Sequence, residues 1–365
     1  MGVIIRAALR VAPEQVRGIS PVRRGAARDL VARVYDQVER DFGVLAPPVR
    51  LHSPAPGTLA AAWVILRETL VAAGLLDRVA KEAVAAAVSL GNSCPYCVEV
   101  HSATVHGLVG GGDAEAIAGD RLDAVEDQRV RAVAEWARVS GTAELVDRHP
   151  VPVPIEQLPE LIGVAVTFQY YNRMVNVFLV DSPFPPGVPP KAVNRVRRVF
   201  GRLMRPAAIK VLEPGDSLDL LPAAPLPDDL SWTTGNPIIA AAFARAAAAV
   251  EVAGAAVSPP VRDLVTARLA RWSGQPTGIS RAWVEEAVAG LTPDDRPAGR
   301  LALLTALASY QVDRATVEDV RVHSSDEEVV GLVSWAAMAA SRRVGTWLWT
   351  ATAGRLRAVE EPPAA

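Results

Sequence analysis

The sequence predicts an all-α protein. Half of the 365 residues are hydrophobic but only 5% are aromatic, and alanine, valine and leucine supply most of the apolar content. This composition favours helices over a β-sandwich. Apolar residues also recur at helical spacing, as Leu30, Val31, Val34, Tyr35 and Val38 do in the first predicted helix. The length allows two domains or one large domain with a substantial core.

Composition excludes several classes of protein. Two cysteines cannot build a disulfide-rich secreted scaffold, and 21% charged residues with this apolar content do not describe a disordered chain. A formal net charge of −2 gives no strong field for nucleic acid or an acidic membrane. No signal-peptide pattern is present, and the apolar stretches 161–180 and 237–257 carry charged residues. We expect a cytoplasmic protein without nucleic-acid or membrane partners.

Short turns rich in glycine or proline separate the helices of the first half. Residues 1–57 are predicted to form a weakly ordered arm, one helix and a proline-punctuated connection. A helical domain follows over residues 58–180, in which Gly74, Gly91-Asn92-Ser93 and the glycines at 110–112 end successive helices. The predicted helices cover residues 21–42, 58–73, 77–90, 94–109, 113–119, 123–139 and 158–180.

Residues 181–237 have a different composition, with eleven prolines, and we predict an ordered connector. Its one clear helix, 191–205, is basic, a pattern that can attract nucleic acid or an anionic membrane. The apolar side of this helix favours instead a surface helix docked on the body of the protein. The arginines of the helix are Arg195, Arg197, Arg198, Arg202 and Arg205.

The order of helix, glycine turn, helix and terminal arginine-bearing helix recurs after the connector. Residues 238–357 therefore read as a degenerate copy of the first domain, followed by a tail at 358–365. Two tandem diverged repeats of roughly 120 residues are predicted, although alanine-rich helices align readily with one another in any case.

The residues that carry chemistry lie around a C-x-x-C motif formed by Cys94 and Cys97, the two cysteines of the chain. In a cytosolic chain this motif is more often redox-active or metal-binding than structural. With Ser93 as the helix cap, the cysteines and His101 share one helical face. The positive end of the helix dipole favours the thiolate, and His101 lies one turn beyond Cys97, within reach of its sulfur.

Glu82 completes this set of residues. It precedes Gly91 by nine residues, and His101 follows Asn92 by nine. In an antiparallel helix pair, both would lie about 13 Å from the turn. A carboxylate beside the imidazole orients it and raises its basicity, which gives an activated thiol nucleophile. The alternatives are a zinc site, which wants four Cys or His ligands, and a vestigial cysteine pair.

These residues resemble the AhpD-like alkylhydroperoxidases of the carboxymuconolactone decarboxylase superfamily. Glu82, Cys94, Cys97 and His101 match the spacing of the family pattern at every position. The Asn172-Arg173 pair also looks like the family, although we expect it to cap or bridge helices. The resemblance covers residues 55–180 well and implies an all-α AhpD-like fold. No nucleotide-binding or flavin motif is present, so no cofactor is inferred.

The resemblance implies a peroxidase cycle. Cys97 would attack an organic hydroperoxide and become a sulfenic acid, and Cys94 would resolve it as a disulfide. Glu82 and His101 would relay the proton, and a lipoamide-like dithiol or a thioredoxin-like protein would reduce the disulfide. The superfamily also implies a homo-oligomer. The alternatives are a carboxymuconolactone decarboxylase-like enzyme, which would not need the cysteines, and a non-catalytic redox sensor.

The sequence departs from the family pattern in two places. Tyr96 stands where some members have a second histidine between the cysteines, which leaves a relay with one imidazole. In the second repeat, Thr277, Ser280 and Val284 stand at the positions of the two cysteines and the histidine. That half cannot perform thiol chemistry, and we expect it to complete the core.

Overall fold

The computed structural model describes residues 15–184 and 190–360, and in these ranges the protein is all-α. The extended pairing within them is one isolated bridge between Val16 and Leu179. The helices are α1 Asp29–Phe42, α2 Pro47–Arg50, α3 Pro56–Leu66, α4 Arg78–Gly91, α5 Pro95–Val109, α6 Asp113–Ala118, α7 Gln128–Val139, α8 Ala143–Arg148, α9 Leu158–Phe178, α10 Pro190–Ala208, α11 Pro237–Ala253, α12 Pro259–Arg271, α13 Ala282–Val288, α14 Arg296–Ala308, α15 Arg314–Arg321 and α16 Asp326–Glu360.

Helix α4 is the centre of the first half and packs against α5, α7 and α9. The helix begins where the Asp77 carboxylate accepts the backbone N–H of Ala80 at 2.9 Å, an N-cap that satisfies a free helical donor. Three consecutive alanines, Ala85, Ala86 and Ala87, are fully buried in its middle. Such small side chains let neighbouring helices approach α4 from several sides, so α5 lies close beside it.

Helices at equivalent places in the two predicted repeats pack against each other. Helix α3 contacts α11, and α9 contacts α16, where the Tyr170 hydroxyl lies 2.7 Å from the Ser334 hydroxyl. The buried apolar residues of both halves form one continuous core. This arrangement is what two tandem repeats joined as a pseudo-dimer would give.

The connector is ordered over its described part. Helix α10 packs along α5 at a crossing so close that a Cβ on Gly201 would lie 2.1 Å from the carbonyl oxygen of Ala103. Further on, the buried carboxylate of Glu68 accepts hydrogen bonds from the Gly215 N–H and the Ser217 hydroxyl, both at 2.6 Å. Buried polar groups need such partners, so these bonds fix the connector to the body.

Several predicted boundaries are corrected by the structure. The first helix begins at Asp29 rather than residue 21, with a single 3-10 turn before it. The helix predicted from 123 begins at Gln128, because the Asp127 carboxylate caps it by accepting the backbone N–H groups of Arg129 and Val130. The short helices α2 and α8 were not predicted.

The two chain ends are only partly described. Residues 15–17 of the predicted arm hydrogen-bond to residues 178–180, so they are not loose, while residues 1–14 lie outside the described ranges. The predicted tail 358–365 begins inside helix α16, which continues to Glu360, and residues 361–365 lie outside the description. No helix in the described ranges has the length and apolar character needed to cross a bilayer.

Candidate active site

Helices α4 and α5 bring Glu82 and His101 together in the interior. Nδ1 of His101 lies 2.6 Å from Oε2 of Glu82, and Nε of Arg78 donates to the other carboxylate oxygen at 2.7 Å. Glu82 is 1% exposed and His101 is 7% exposed. The carboxylate is therefore held between two donors, one from its own helix and one from the antiparallel neighbour.

The electrostatics of this pair favour a charged carboxylate. Burial opposes the ionisation of Glu82, but Arg78 and His101 outweigh it and hold the pKa of the carboxyl below its ordinary value. An anionic Glu82 accepts the Nδ1 proton of His101, which leaves Nε2 of the imidazole able to take a proton. The ring of Phe168 packs edge-on against the imidazole, with centroids 4.5 Å apart, and fixes its plane.

The two cysteines lie at the first turn of α5, and both are free thiols. Cys94 itself occupies the N-cap position, whereas Ser93, the predicted cap, has a left-handed backbone with φ of 51°. Cys94 is 1% exposed and Cys97 is 2% exposed. Although Cys94 lies at the very start of the helix, it is therefore as deeply buried as Cys97.

The polar neighbours of the Cys97 thiol are Ser89 and Asn172, both of which act to lower its pKa. Nδ2 of Asn172 donates to the Ser89 hydroxyl at 2.9 Å, and the side chain of Asn92 donates to Asn172 at 2.9 Å. The sequence predicted that Asn172 would cap or bridge helices, and it does bridge α9 to α4 through Ser89. Its place beside the Cys97 sulfur was not predicted, and no local sequence signal distinguishes it from the other polar residues of this helix.

The predicted thiolate character of the site is corrected by the structure. Burial raises the pKa of Cys97 well above its ordinary value, and the neighbouring Cys94 thiol raises it further, against the smaller opposing effect of Ser89 and Asn172. In this buried conformation, desolvation outweighs any favourable helix dipole. The resting thiol is neutral and needs a base before it can attack.

The structure joins the four predicted residues in two pairs. Glu82 contacts His101, and Cys94 lies beside Cys97. The His101 ring is hydrogen-bonded to Glu82. Within the described ranges, no hydrogen bond joins the ring to Cys97. A proton passing from sulfur to imidazole would therefore move after a small rearrangement or through an intervening hydroxyl group.

Tyr96, the residue between the cysteines, performs a different task from a second histidine. Its hydroxyl donates to the side-chain oxygen of Gln15 at 2.9 Å, and the Gln15 amide donates to the carbonyl of Pro183 at 3.3 Å. Burial raises the pKa of Tyr96 far above its ordinary value, so the phenol stays neutral. The residue ties the N-terminal segment over the cysteine turn.

The zinc alternative requires a cluster of metal-binding side chains. Among the residues that the structure describes, no group of three or more His, Cys, Asp or Glu side chains is arranged to hold a metal ion. The cysteines and His101 therefore do not form a ligand set of the tetrahedral kind that structural zinc uses.

The corresponding region of the second half has no comparable arrangement. Thr277 and Ser280 lie in the loop before α13, with Ser280 exposed, and Val284 is fully buried in the first turn of that helix. None of these side chains is an acid, base or thiol. The described structure therefore contains this thiol arrangement in its first half.

Comparison with known proteins gives the family. The profile of the Carboxymuconolactone decarboxylase family matches residues 57–139, the segment from α3 to α7 that contains the cysteines, Glu82 and His101. The chain is also 37% identical over 342 residues to the alkyl hydroperoxide reductase Rv2159c of Mycobacterium tuberculosis. That alignment covers 93% of this chain and 97% of the relative.

The chain belongs to the carboxymuconolactone decarboxylase family. Its all-α architecture is AhpD-like, as the sequence predicted. The family profile ends at residue 139, but the similarity to the mycobacterial relative continues through the second half. The longer architecture, with a connector and a second helical region, is therefore shared by at least one other family member.

Proposed function

We propose that the protein is a thiol-dependent alkylhydroperoxidase that reduces organic hydroperoxides through Cys97 and Cys94. The observation that carries the proposal is the 2.6 Å contact between a buried, ionised Glu82 and His101, on the same helix as two adjacent free thiols. A base with an orienting carboxylate near a thiol is the arrangement of an activated nucleophile. The name of the mycobacterial relative and the family membership support the same activity.

In the first step, after a rearrangement that brings the two groups together, the Cys97 thiol gives its proton to Nε2 of His101, and the thiolate attacks the hydroxyl-bearing oxygen of the hydroperoxide. The O–O bond breaks, Cys97 becomes a sulfenic acid, and the leaving alkoxide takes the proton from the imidazolium to give an alcohol. The side chains of Ser89 and Asn172 surround the Cys97 sulfur and stabilise the thiolate that forms. Glu82 stabilises the cationic imidazolium between the two proton transfers.

In the second step, the Cys94 thiol attacks the sulfur of the sulfenic acid and releases water. The product is a Cys94–Cys97 disulfide, and the two cysteines already lie side by side at the helix terminus. An external dithiol then reduces this disulfide and becomes oxidised itself, which closes the cycle. Each turnover converts one hydroperoxide and one dithiol to an alcohol, water and a disulfide.

Burial of the thiols adds a conformational step to this cycle. With 1% and 2% exposure, Cys94 and Cys97 cannot meet a peroxide or a dithiol until the surrounding turn opens. The contact between Tyr96 and Gln15 lies directly over this turn. We propose that opening of this contact precedes each half of the cycle, as lid motions do in many enzymes.

The test is a count of thiols against peroxide. The reduced protein is mixed with one equivalent of cumene hydroperoxide, and free thiols and remaining peroxide are followed together. Two thiols should be lost for each peroxide consumed, and dithiothreitol should restore both. Cys97→Ser should abolish the reaction, Cys94→Ser should stop at the sulfenic acid, and Ser280→Ala in the second half should react like the parent protein.

A full reaction in the Cys97→Ser variant would overturn the proposal. The second candidate, a carboxymuconolactone decarboxylase-like activity, is favoured by the family match itself and does not require thiols. It would be indicated by an activity that survives alkylation of both cysteines. Stoichiometric oxidation without repeated turnover would instead point to a redox sensor.

A further inference from the structure

The outer face of helix α10 carries an unusual concentration of positive charge. Positions 191–210 contain seven basic residues and no acidic residue, although the whole chain has a formal net charge of −2. Arg195, Arg198, Arg202 and Arg205 repeat at intervals of three, four and three residues, which places them on one side of the helix. All four are exposed. We call these four residues the basic stripe.

The basic stripe is not neutralised within the described part of the molecule. Arg197, on the inner side of α10, pairs with Glu99 of α5 at 2.8 Å, and it is 6% exposed. No corresponding ion pair within residues 15–184 and 190–360 involves any of the four stripe arginines. The stripe is about 15 Å long, at the rise of an α-helix. It therefore presents a continuous positive field to solvent.

The stripe lies beside the thiol site. The ion pair between Arg197 and Glu99 anchors α10 to α5, and Glu99 lies two residues after Cys97 in the sequence. The glycine crossing at Gly201 contacts Ala103, six residues beyond the same cysteine, or about 9 Å along the helix axis. A molecule that binds the outer face of α10 is thus held on the helix that packs directly against α5, whose first turn carries the cysteines.

The size of the stripe indicates the kind of partner. A small hydroperoxide or a small dithiol does not need a row of four arginines, whereas the acidic face of a protein domain can pair with all of them. Only a few apolar side chains project among the arginines, among them Val199 at 49% and Ile209 at 54% exposure, which is little for insertion into lipid. The charge pattern therefore favours an acidic protein over a membrane.

We propose that the basic stripe of α10 is the docking surface for an acidic protein domain that carries the reducing dithiol. This inference rests on the proposed function. In the docked complex, one thiolate of the partner attacks a sulfur of the Cys94–Cys97 disulfide and breaks the S–S bond. The second thiol of the partner then attacks the partner's own sulfur in the mixed disulfide, which breaks the intermolecular S–S bond and releases the second cysteine of this chain as a thiol. The chain regains two thiols, and the partner leaves as a disulfide.

The experiment compares two electron donors in the full-length protein. Consumption of cumene hydroperoxide is driven by dithiothreitol or by a reduced acidic thioredoxin. In the double variant R198E/R202E, the rate with thioredoxin should fall about tenfold because electrostatic steering is reversed. The rate with dithiothreitol should not change. For the parent protein, raising the salt from about 20 to about 300 mM should slow only the thioredoxin reaction.

The matched control is R268E/R271E, which reverses two exposed arginines on α12 in the second half. This variant should behave like the parent with both donors. Equal rates of the stripe variant and the control with thioredoxin would overturn the docking surface and leave the peroxidase proposal intact. Absence of turnover with dithiothreitol in the parent protein would instead overturn the proposed function.

A binding measurement tests the surface independently of turnover. Fluorescence anisotropy follows a labelled acidic thioredoxin, with its cysteines replaced by serine, as it binds the parent protein. Binding should weaken about tenfold in R198E/R202E and in high salt. Equal affinity of parent and variant would contradict the inference. Stripe-dependent binding to phosphatidylserine vesicles without any binding to thioredoxin would also contradict it and would assign the surface to a membrane.

Discussion

The two halves of the molecule bury different kinds of polar side chain. Before the end of α10, the buried set includes acids, bases and cations, among them Glu82, His101 and the Arg67–Asp41 pair. In the described part of the chain after α10, the buried polar side chains are hydroxyls such as Thr305, and several bond to their own helix. The two free thiols and the buried charged side chains thus occur in the same half.

This contrast shows that the half with the cysteines must keep its buried charges paired. A buried charge is tolerated only when a partner compensates for its lost hydration, and Glu82 has two partners, Arg78 and His101. The corresponding helix of the second half, which has no cysteines, is shorter: α13 has seven residues, whereas α5 has fifteen. The described part of the second half keeps a packed apolar core but has no buried charged side chain.

The largest expected effect comes from replacing a buried charge of the first half with an apolar side chain like those in the interior of the second half. Glu82→Leu removes the carboxylate that orients His101 and leaves Arg78 without its partner. We expect peroxide turnover to fall by about two orders of magnitude or more. The free energy of unfolding should fall by about 3–5 kcal/mol, as when one member of a buried pair is removed. Turnover assays and urea unfolding measure the two effects.

The control for Glu82→Leu is an ion pair in the second half. Glu285 pairs with Arg300 at 2.7 Å with its side chain 52% exposed. Glu285→Leu should lower the free energy of unfolding by less than about 1 kcal/mol, because solvent screens the exposed pair. Similar losses from both substitutions would contradict the distinction between the halves.

A second prediction concerns acid stability and His52, which is fully buried against Tyr170 and Tyr171. Burial lowers the pKa of His52 from 6.5 to about 4. The unfolded chain therefore binds the proton at a higher pH than the folded chain does. Stability that is present above pH 6.5 should be lost as the pH falls toward 4, by roughly 3 kcal/mol for a shift of this size.

Urea unfolding at several pH values between 7 and 4 measures this loss. His52→Gln should remove most of the pH dependence in that interval, while His323→Gln, at an exposed position, should leave it unchanged. An unaltered pH dependence in His52→Gln would assign the acid sensitivity to another group.

The smallest effect is expected at the crossing of α5 and α10. A Cβ at Gly201 would lie 2.1 Å from the backbone oxygen of Ala103, so Gly201→Ala must push the helices apart. A loss of about 1–3 kcal/mol is expected from such overpacking. Gly354→Ala on α16 meets nothing within 4 Å and should stabilise the helix by about 0.5–1 kcal/mol. Thermal unfolding measures the stability of both variants. If Gly201→Ala stabilised the protein as Gly354→Ala should, the crossing would not be as tightly packed as described.

Much of the fold followed from local signals in the sequence. Glycine turns marked where helices end, and the counted spacing placed Glu82 level with His101 across the Gly91 turn. These features depend on residues close in the chain, where helical periodicity is informative. The helix of the connector was also visible from its apolar side.

The remaining features depend on contacts between distant segments. The approach of Asn172 to Ser89 and Cys97 joins helices that are far apart in sequence, and no local pattern encodes it. The same holds for the hydrogen bond between Tyr96 and Gln15, which joins the cysteine turn to the N-terminal segment. The thiolate expectation failed for the same reason, since the helix dipole is a local property and desolvation is a tertiary one.

The glycine crossing between α5 and α10 makes these two helices a mechanical linkage. Backbone meets backbone at Gly107 and Gly201, so no flexible side chain lies between them to absorb a displacement. Any displacement of α10 must therefore be accommodated by α5, the helix whose first turn holds the cysteines. A partner that shifts α10 when it binds would also shift the helix that carries the thiols.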